Sequence, residues 1–455
     1  MTAEILEGIT AIVGGANIGV DEVTLAAYGI DATRIKGFPA MVVRPGSEDE
    51  VAAIMRLASR YEMPVIPRGA GTGLTGGAVA PTGGIMMSFE RMDKILSISA
   101  GTRTATVQPG VTTGKLQEEA ERVGLFYPPD PGSLAYCTIG GNVAENAGGM
   151  RAVKYGVTRD YVVALRAVLP SGEIVRSGAK TAKGVVGYDL TRLLVGSEGT
   201  LALVTEITVK LIPKPAHVVT MSAFFADISE AGRAIAAIMA SPVTPRCIEF
   251  LDADALAASS EKAGIELPEG AGAFLLIETD GSTRQAGEDA DAIRALVEPG
   301  AISFRTASGP AEFATLWKLR KTLSQAMYTY GPDKLNEDIV VPVDKVADAL
   351  AGIKDIADTH RLRIVCFGHA GDGNIHTNVM TDKKDPEKFL RAEEAVEEVF
   401  RLVLRLGGTL SGEHGVGMTK QAYIGMELNG EEVALMKRVK AAFDPLGLLN
   451  PGKIF

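Results

Sequence analysis

Three of the five histidines in this 455-residue chain fall within residues 369–414, in a context that indicates metal chemistry. His369 and His376 flank Asp372-Gly373, a dipeptide typical of a tight β-hairpin turn. A turn closing there would place the two imidazoles directly opposite each other, with Cβ atoms about 5 Å apart. Both rings could then bind one divalent ion through bonds of about 2.0–2.1 Å. Asn378 would project from the same face of the second strand.

A carboxylate and an imidazole stand side by side further along, at Glu413 and His414, between flanking glycines. Adjacent side chains of an extended segment diverge, so one could bind a metal ion while the other faces a substrate. A pair of hydrogen-bonded structural histidines is the simpler interpretation of His369 and His376 alone. The additional ligand at Glu413 favours a metal site. The remaining histidines, His217 and His360, lack such neighbours and are predicted to be structural.

The amino-terminal part of the chain carries a glycine-rich loop. Five glycines occur within residues 69–77, directly after the apolar, strand-like stretch 63–66. Such a sequence is unfavourable inside a helix or a strand. A concave row of backbone N–H groups is a typical anion site, so the loop is predicted to bind a pyrophosphate at the end of a strand.

Two other interpretations of this loop remain open. Residues 71–76 match G-x-G-x-x-G, and Glu90 follows at the distance typical of a Rossmann NAD site. That fold needs a helix directly after the glycines, whereas Pro81 and paired glycines in residues 77–84 oppose one. A flexible surface loop is the second alternative.

Strand and helix patterns alternate around these segments, which predicts an α+β fold. Ser47 and Glu50 form a capping-box sequence before an amphipathic helix. A second rigid loop spans residues 128–133, and Pro213 and Pro215 predict a domain boundary. Strands are predicted at 39–44, 85–89, 104–108, 202–210, 218–225, 273–278, 338–343 and 363–367. Helices are predicted at 113–123, 229–240, 286–296, 346–359, 385–406 and 431–443.

Composition excludes several classes of protein. The net charge of −10, with acids and bases interspersed, argues against a nucleic-acid or anionic-membrane surface. The chain has no apolar run of transmembrane length and no signal-peptide pattern at its start, so a cytoplasmic location is expected. Three distant cysteines exclude an iron–sulfur cluster built by this chain alone. They are predicted to be core thiols, and electrons would have to leave through an external acceptor.

Several motifs, in this order, resemble the FAD-dependent D-2-hydroxy-acid dehydrogenases, a family with a vanillyl-alcohol-oxidase (PCMH) type of FAD-binding fold. The resemblance extends over about residues 35–455. It is carried by Pro67-Arg68-Gly69-Ala70-Gly71-Thr72, Pro131-Gly132-Ser133, Gly140-Gly141-Asn142, Gly196-Ser197-Glu198-Gly199-Thr200 and Asn450-Pro451-Gly452-Lys453.

The resemblance implies a domain organisation and a set of FAD-binding residues. An amino-terminal helical segment (1–35) would precede an FAD-binding domain (36–215), an α+β substrate or cap domain (216–400) and a C-terminal helical segment (401–455). FAD would be bound non-covalently, because no histidine precedes His217 to form a covalent link. The implied contacts are Arg68, Gly69, Ala70, Gly71, Thr72, Pro131, Gly132, Ser133, Gly140, Gly141, Asn142, Gly156, Val204 and Asn450.

The resemblance also implies the reaction. It implies that His369, His376 and Glu413 are metal ligands, with Zn²⁺ as the expected ion, and that His414 is the general base. Substrate contacts fall to Arg320, Lys334, Asn378 and Ser324; a guanidinium suits a planar carboxylate. A D-2-hydroxy acid, D-lactate or glycolate first, would be oxidised to a 2-oxo acid with hydride transfer to flavin N5.

The implied partners are the acid itself and an electron acceptor: a quinone, a cytochrome, an electron-transferring flavoprotein or an iron–sulfur subunit. The resemblance is compatible with peripheral membrane association through such a partner. It is also compatible with a homodimer. D-2-Hydroxyglutarate dehydrogenase and an electron-relay subunit of a glycolate oxidase complex are the alternatives within the family. A flavin-dependent C–O bond-forming transferase and a metal hydrolase are alternatives outside it.

Overall fold

The computed structural model describes residues 3–455 and divides into two compact units. The first unit comprises the residues up to Gly149, Gly156–Lys214 and Glu413–Phe455. The second comprises Met150–Tyr155 and Pro215–Gly412. Helices and sheets occur in both units, which confirms the predicted α+β class.

Three sheets form the framework of the first unit. A four-stranded sheet has the order Ile18–Gly19, Met41–Val43, Ile85–Ser88 and Val65–Arg68, and the last three strands run parallel. A five-stranded antiparallel sheet has the order Ile95–Ser99, Thr104–Val107, Leu203–Lys210, Val162–Val168 and Ile174–Gly178. A short pair joins Leu125–Phe126 to Ile212–Pro213. The helices are Ala3–Val13, Glu22–Tyr28, Glu48–Arg60, Thr113–Arg122, Ile139–Glu145, Thr158–Tyr161, Leu190–Leu194, Ile424–Glu427 and Gly430–Phe443.

The helix Glu48–Arg60 shows how local sequence determines an element. Its N-cap hydroxyl, on Ser47, accepts a hydrogen bond from the Glu50 amide at 3.2 Å, as the capping sequence predicts. The Glu50 carboxylate accepts from the Gly46 amide at 2.7 Å, one residue before the position that a capping box would use. Its apolar residues, including Val51, Ile54 and Met55, are buried in one core cluster with strands of the four-stranded sheet.

One seven-stranded antiparallel sheet forms the framework of the second unit. Its order is Ser303–Thr306, His217–Phe225, Ala273–Gly281, Cys247–Leu251, Arg363–His369, Asn374–Thr381 and Asp333–Val340. The helices are Ala152–Tyr155, Ile228–Met239, Ala253–Ala263, Thr283–Val297, Pro310–Ala326, Val346–His360 and Pro386–Arg405. Among residues 3–455, none of the helices combines the length and the apolar character needed to cross a bilayer.

The strand Asp333–Val340 begins five residues before the predicted start at residue 338. Its first five residues include Lys334, Asn336 and Glu337, residue types that are uncommon in strands. All eight of its residues nevertheless pair in register with Asn374–Thr381. Tertiary pairing therefore overrides local propensity here, and it places polar side chains on the surface of the sheet.

None of the three cysteines forms a disulfide and all are buried, which confirms the prediction of core thiols. Burial raises the pKa of the Cys366 thiol well above its ordinary value. The pKa of Cys137 is also raised, again mainly by burial. The reactive thiolate form is therefore scarce at both positions in the native protein.

We expect that no cysteine of the native protein reacts with an aromatic disulfide reagent at mildly alkaline pH, whereas denatured protein releases three equivalents of thiol. Absorbance of the released chromophore gives the measurement. A cysteine that reacts rapidly in the native protein would contradict the buried placement.

Candidate active site

The glycine loop of the first unit follows the strand Val65–Arg68 directly. A side chain at Gly69 would clash with the hydroxyl of Thr138, and Gly71 has a φ of +70°, which favours glycine. Thr138 caps the helix Ile139–Glu145 by accepting from the Gly141 amide at 3.3 Å. Two of the predicted binding segments are therefore brought together: the first glycine loop and the Gly140–Gly141 turn.

A cavity of about 350 Å³ opens beside this loop. Arg68, Gly69, Ala70 and Thr138 are among the residues that line it. The Arg68 side chain is buried and its Cζ lies 5.6 Å from the centre of the Tyr28 ring. A buried guanidinium beside glycine backbone suits a phosphorylated ligand, because positive charge and close backbone approach are both available.

Other predicted cofactor residues have structural contacts of their own. The Asn142 amide donates to the Thr113 hydroxyl at 2.7 Å, and a side chain at Gly140 would lie 2.5 Å from Pro109 Cβ. Asn450 Nδ2 donates to the carbonyls of Gly77 and Glu198 at 2.9 and 2.7 Å. These residues hold the loops in place.

The remaining predicted cofactor residues are distributed over the first unit. Pro131 and Ser133 accept backbone hydrogen bonds in the turn that follows them, Gly156 has a φ of +77°, and Val204 lies in the strand Leu203–Lys210. A side chain at Gly132 would meet open space, and Thr72 continues the first loop. Direct contact of all these residues with a cofactor stays a prediction.

Glu198 anchors the loop that carries Glu413 and His414. Its two carboxylate oxygens accept hydrogen bonds from the amides of Val416 and Gly417 at 2.7 and 2.8 Å. The Thr75 hydroxyl donates to the His414 carbonyl at 3.3 Å. Burial raises the pKa of Glu198, and the two amide hydrogen bonds oppose that shift. The Gly196–Thr200 motif therefore supports the loop of the predicted ligand and base.

The hairpin of the second unit differs in register from the prediction. His369 pairs with Asn374, and His376 pairs with Phe367, so the predicted direct opposition of the two histidines is wrong. Four residues, 370–373, connect the two strands of the hairpin. Asp372 and Gly373 therefore do not form a two-residue loop by themselves. The histidines are diagonal neighbours on one face instead, and this arrangement still brings the rings together.

The two imidazoles converge through their Nε2 atoms, which lie 3.4 Å apart. Both rings are buried, and their centroids are 5.1 Å apart. His369 Nδ1 lies 2.6 Å from Glu249 Oε1, and His376 Nδ1 lies 3.5 Å from Asp338 Oδ1. Metal-binding histidines typically place a carboxylate on the nitrogen that does not bind the metal. His369 has that arrangement, whereas the carboxylate beside His376 is nearby but makes no hydrogen bond to its Nδ1.

Asp338 belongs to a wider polar cluster. Its Oδ1 accepts from Asn374 Nδ2 at 2.6 Å, and its Oδ2 accepts from the Gly412 amide at 2.9 Å. Asn378 lies two residues after His376, as predicted, and its Oδ1 accepts from Asn336 Nδ2 at 2.9 Å. The hydrogen bonds therefore order the polar face around the two histidines.

Arg320 is fixed beside the histidines. Its Nε donates to Glu249 Oε2 at 2.6 Å, and its Cζ lies 4.9 Å from the centre of the Phe367 ring. Lys334 lies on the strand Asp333–Val340, with its Nζ 5.7 Å from the centre of the Tyr328 ring. Ser324 is exposed on the helix that carries Arg320.

Sequence reasoning missed Glu249 and Asp338 as site residues. A signal for Glu249 was present, since it is the single charged residue in the apolar strand Cys247–Leu251. A fully buried carboxylate needs a partner, so such a residue points to an arginine or a histidine nearby. The sequence signal for Asp338 was weaker, because this residue lies among other polar residues of its strand.

Comparison with known proteins identifies the family. The model for the FAD binding domain matches residues 39–178, and the model for FAD linked oxidases, C-terminal domain, matches residues 214–454. The second match alone covers more than half of the chain. The chain belongs to the FAD-linked oxidases.

This FAD-linked oxidase is therefore an FAD-dependent oxidoreductase, as the resemblance implied. It is 43% identical over 457 residues to glycolate oxidase subunit GlcD of Bacillus subtilis (strain 168), covering 100% of this chain and 97% of the relative. It is 38% identical over 440 residues to D-lactate dehydrogenase of Anaerostipes hadrus, covering 94% and 91% respectively. In both comparisons nearly the whole of each protein is aligned.

A solved structure confirms the fold type. p-Cresol methylhydroxylase with substrate bound has a TM-score of 0.80 to this oxidase at 17% identity, covering 99% of this chain and 96% of the other. This likeness confirms the predicted PCMH-type fold. The buried Arg68 and the glycine backbone at the cavity fit the phosphate groups of FAD.

We expect Glu198→Ala to loosen the loop around Glu413 and His414, because two amide hydrogen bonds to a carboxylate are lost. The free energy of local opening should fall by about 2–4 kcal/mol. The rate of native-state proteolysis, with cleavage mapped to residues 411–418, gives the measurement. The control is Glu121→Ala, which removes a surface carboxylate paired with Lys214 and should change nothing measurable. Equal cleavage in both variants would contradict the anchoring role.

Proposed function

We propose that this oxidase converts a small D-2-hydroxy acid, D-lactate or glycolate first, into the 2-oxo acid with the help of non-covalent FAD and a divalent metal ion. The observation that carries the proposal is the buried histidine pair with its two carboxylates. The relatives named glycolate oxidase subunit and D-lactate dehydrogenase support the substrate class.

The electrostatics of the histidine pair support a cation between the rings. If each ring is neutral and carries its proton on Nδ1, beside the carboxylate, each has a lone pair on Nε2. Two lone pairs 3.4 Å apart repel each other unless a proton or a metal ion lies between them. Two metal–nitrogen bonds of 2.0–2.1 Å at a tetrahedral angle also separate the nitrogens by about 3.4 Å. The geometry therefore fits Zn²⁺.

We assign Glu413 as the third ligand on the basis of the family resemblance. Imidazole and carboxylate ligands suit Zn²⁺ and other divalent ions of similar preference. A divalent ion held by these residues would act as a Lewis acid that lowers the pKa of the substrate C2 hydroxyl.

The substrate carboxylate is assigned to Arg320. Its Nε is engaged by Glu249, so a second carboxylate would be bound bidentately by the two terminal nitrogens. Lys334, Asn378 and Ser324 are assigned as further polar contacts. A guanidinium held by a carboxylate and an aromatic ring loses little further entropy when it binds a substrate.

Proton transfer is assigned to His414. In its neutral form, the imidazole accepts the proton of the C2 hydroxyl as a general base. Bound FAD would supply the redox chemistry by taking up the hydride from C2. Thr75 donates a hydrogen bond to the His414 carbonyl, and Glu198 accepts hydrogen bonds from the amides of Val416 and Gly417. These contacts hold the backbone at and directly after this histidine, which favours a fixed position.

The electrons then pass to an external acceptor. The three cysteines are buried and far apart in the sequence, so the chain provides no thiolate cluster for a redox centre. One relative is named as a subunit of glycolate oxidase, which supports a partner protein as the acceptor. A quinone, a cytochrome or an electron-transferring flavoprotein would serve the same chemical purpose.

Anaerobic stopped-flow mixing of the FAD-loaded protein with a panel of acids tests the proposed function. We expect D-lactate or glycolate to bleach the absorbance of oxidised flavin at about 450 nm. L-Lactate should leave this absorbance unchanged. The panel includes D-2-hydroxyglutarate, whose preferential oxidation would replace the proposed substrate with a longer one. A flavin that no 2-hydroxy acid reduces would overturn the proposal.

We expect His414→Ala to keep its flavin and to lose flavin reduction by about 100- to 10,000-fold, because the general base is removed. The measurements are the flavin-to-protein ratio and the rate of reduction by the preferred acid. The control is His217→Ala, which alters an exposed histidine at the start of a strand. Near wild-type reduction in His414→Ala would refute its assignment as the base.

A further inference from the structure

We propose that Glu249 is a positioning residue that couples the substrate-binding guanidinium to the metal-binding imidazole. One oxygen of its carboxylate holds His369, and the other holds Arg320. The inference rests on the proposed function and adds a link between two parts of that site. It predicts that substrate affinity and metal affinity depend on the same buried carboxylate.

The strand geometry places Glu249 at this junction. It lies on the strand Cys247–Leu251 and pairs across the sheet with His369. Its side chain is 0% exposed, and both oxygens are engaged at 2.6 Å, one by His369 Nδ1 and the other by Arg320 Nε. Distances of this length are typical of charge-assisted hydrogen bonds. A single rigid carboxylate therefore determines the positions of both groups.

The aromatic ring of Phe367 strengthens the link. It lies 4.9 Å from the Arg320 guanidinium carbon and 5.3 Å from the centre of the His376 ring. Arg320 is thus held through Nε by a carboxylate and across its plane by an aromatic face. Few orientations satisfy both contacts, so the terminal nitrogens of the guanidinium have a fixed direction.

The charge of Glu249 also determines which nitrogen of His369 is available. Its Oε1 lies 2.6 Å from Nδ1 of the imidazole, so the proton of a neutral ring is held on that nitrogen. The ionised carboxylate accepts the Nδ1 proton and leaves the Nε2 lone pair directed towards His376. Loss of the negative charge would remove this control of the tautomer.

A second buried glutamate provides a matched control. Glu278 lies on the neighbouring strand Ala273–Gly281 and forms an ion pair with Arg246 at 3.2 Å. It also accepts from Trp317 Nε1 at 2.9 Å. Glu278→Gln therefore removes a buried charge from a glutamate–arginine pair of the same sheet, and these contacts include no histidine.

The experiment compares Glu249→Gln and Glu278→Gln in the full-length, FAD-loaded protein. Glutamine keeps the size of the side chain, but its amide nitrogen cannot accept a hydrogen bond, so either His369 or Arg320 loses its partner. Competition with a chromophoric chelator measures the affinity for Zn²⁺ alone, and steady-state kinetics with the preferred 2-hydroxy acid give KM and kcat. The flavin-to-protein ratio reports whether the FAD-binding unit is intact, and circular dichroism reports whether the second unit, which holds both glutamates, is folded.

We expect Glu249→Gln to bind Zn²⁺ about 10- to 100-fold more weakly, as is typical when the outer partner of a metal-binding histidine is lost. Its KM should rise about tenfold, since one hydrogen bond that orients the guanidinium is lost. Its flavin content should stay that of the wild type. Glu278→Gln should keep the wild-type Zn²⁺ affinity and KM.

Each contrary outcome has a distinct meaning. Wild-type Zn²⁺ affinity or wild-type KM in Glu249→Gln would overturn the coupling and leave the proposed function intact. Equal losses in both glutamine variants would also overturn it, because the effect would then be general destabilisation of the sheet. Wild-type protein that binds no Zn²⁺ would overturn the metal assignment together with this inference.

Discussion

The close approach of two buried imidazoles is the interaction on which the site depends. Their Nε2 atoms lie 3.4 Å apart, and a carboxylate lies 2.6 Å from Nδ1 of His369 and 3.5 Å from Nδ1 of His376. Such an arrangement is electrostatically satisfied only with a cation or a shared proton between the rings. Strand pairing enforces it, because Glu249 pairs with His369 and Asp338 pairs with His376. The backbone register of the sheet thus places a carboxylate beside each imidazole.

Both units use buried glutamates to hold functional groups. In the second unit, one carboxylate oxygen of Glu249 binds an arginine and the other binds a histidine. In the first unit, both carboxylate oxygens of Glu198 accept hydrogen bonds from backbone amides of the loop that carries Glu413 and His414. A carboxylate removed from water is costly unless both of its oxygens are satisfied. The same requirement makes such a residue a rigid link between segments that are distant in sequence.

The sequence predicted the features that depend on local chemistry. The cap at Ser47, the buried thiols and the glycine loop after a strand all follow from residue type and spacing. The features that it did not predict depend on tertiary pairing. The connection after His369 has four residues instead of two, and the strand Asp333–Val340 extends through polar residues because its neighbour pairs with them. Glu249 lies in the site because its strand pairs with that of His369, which is 120 residues away in the sequence.

X-ray absorption at the metal edge of the active, FAD-loaded enzyme tests the central claim most directly. We expect a divalent ion with two imidazole nitrogens at about 2.0 Å and at least one carboxylate oxygen in its coordination shell. Removal of the ion with a chelator should abolish flavin reduction by the hydroxy acid, and restored metal should recover it. A fully active enzyme without bound metal would contradict the account and would leave the two histidines as a proton-sharing structural pair.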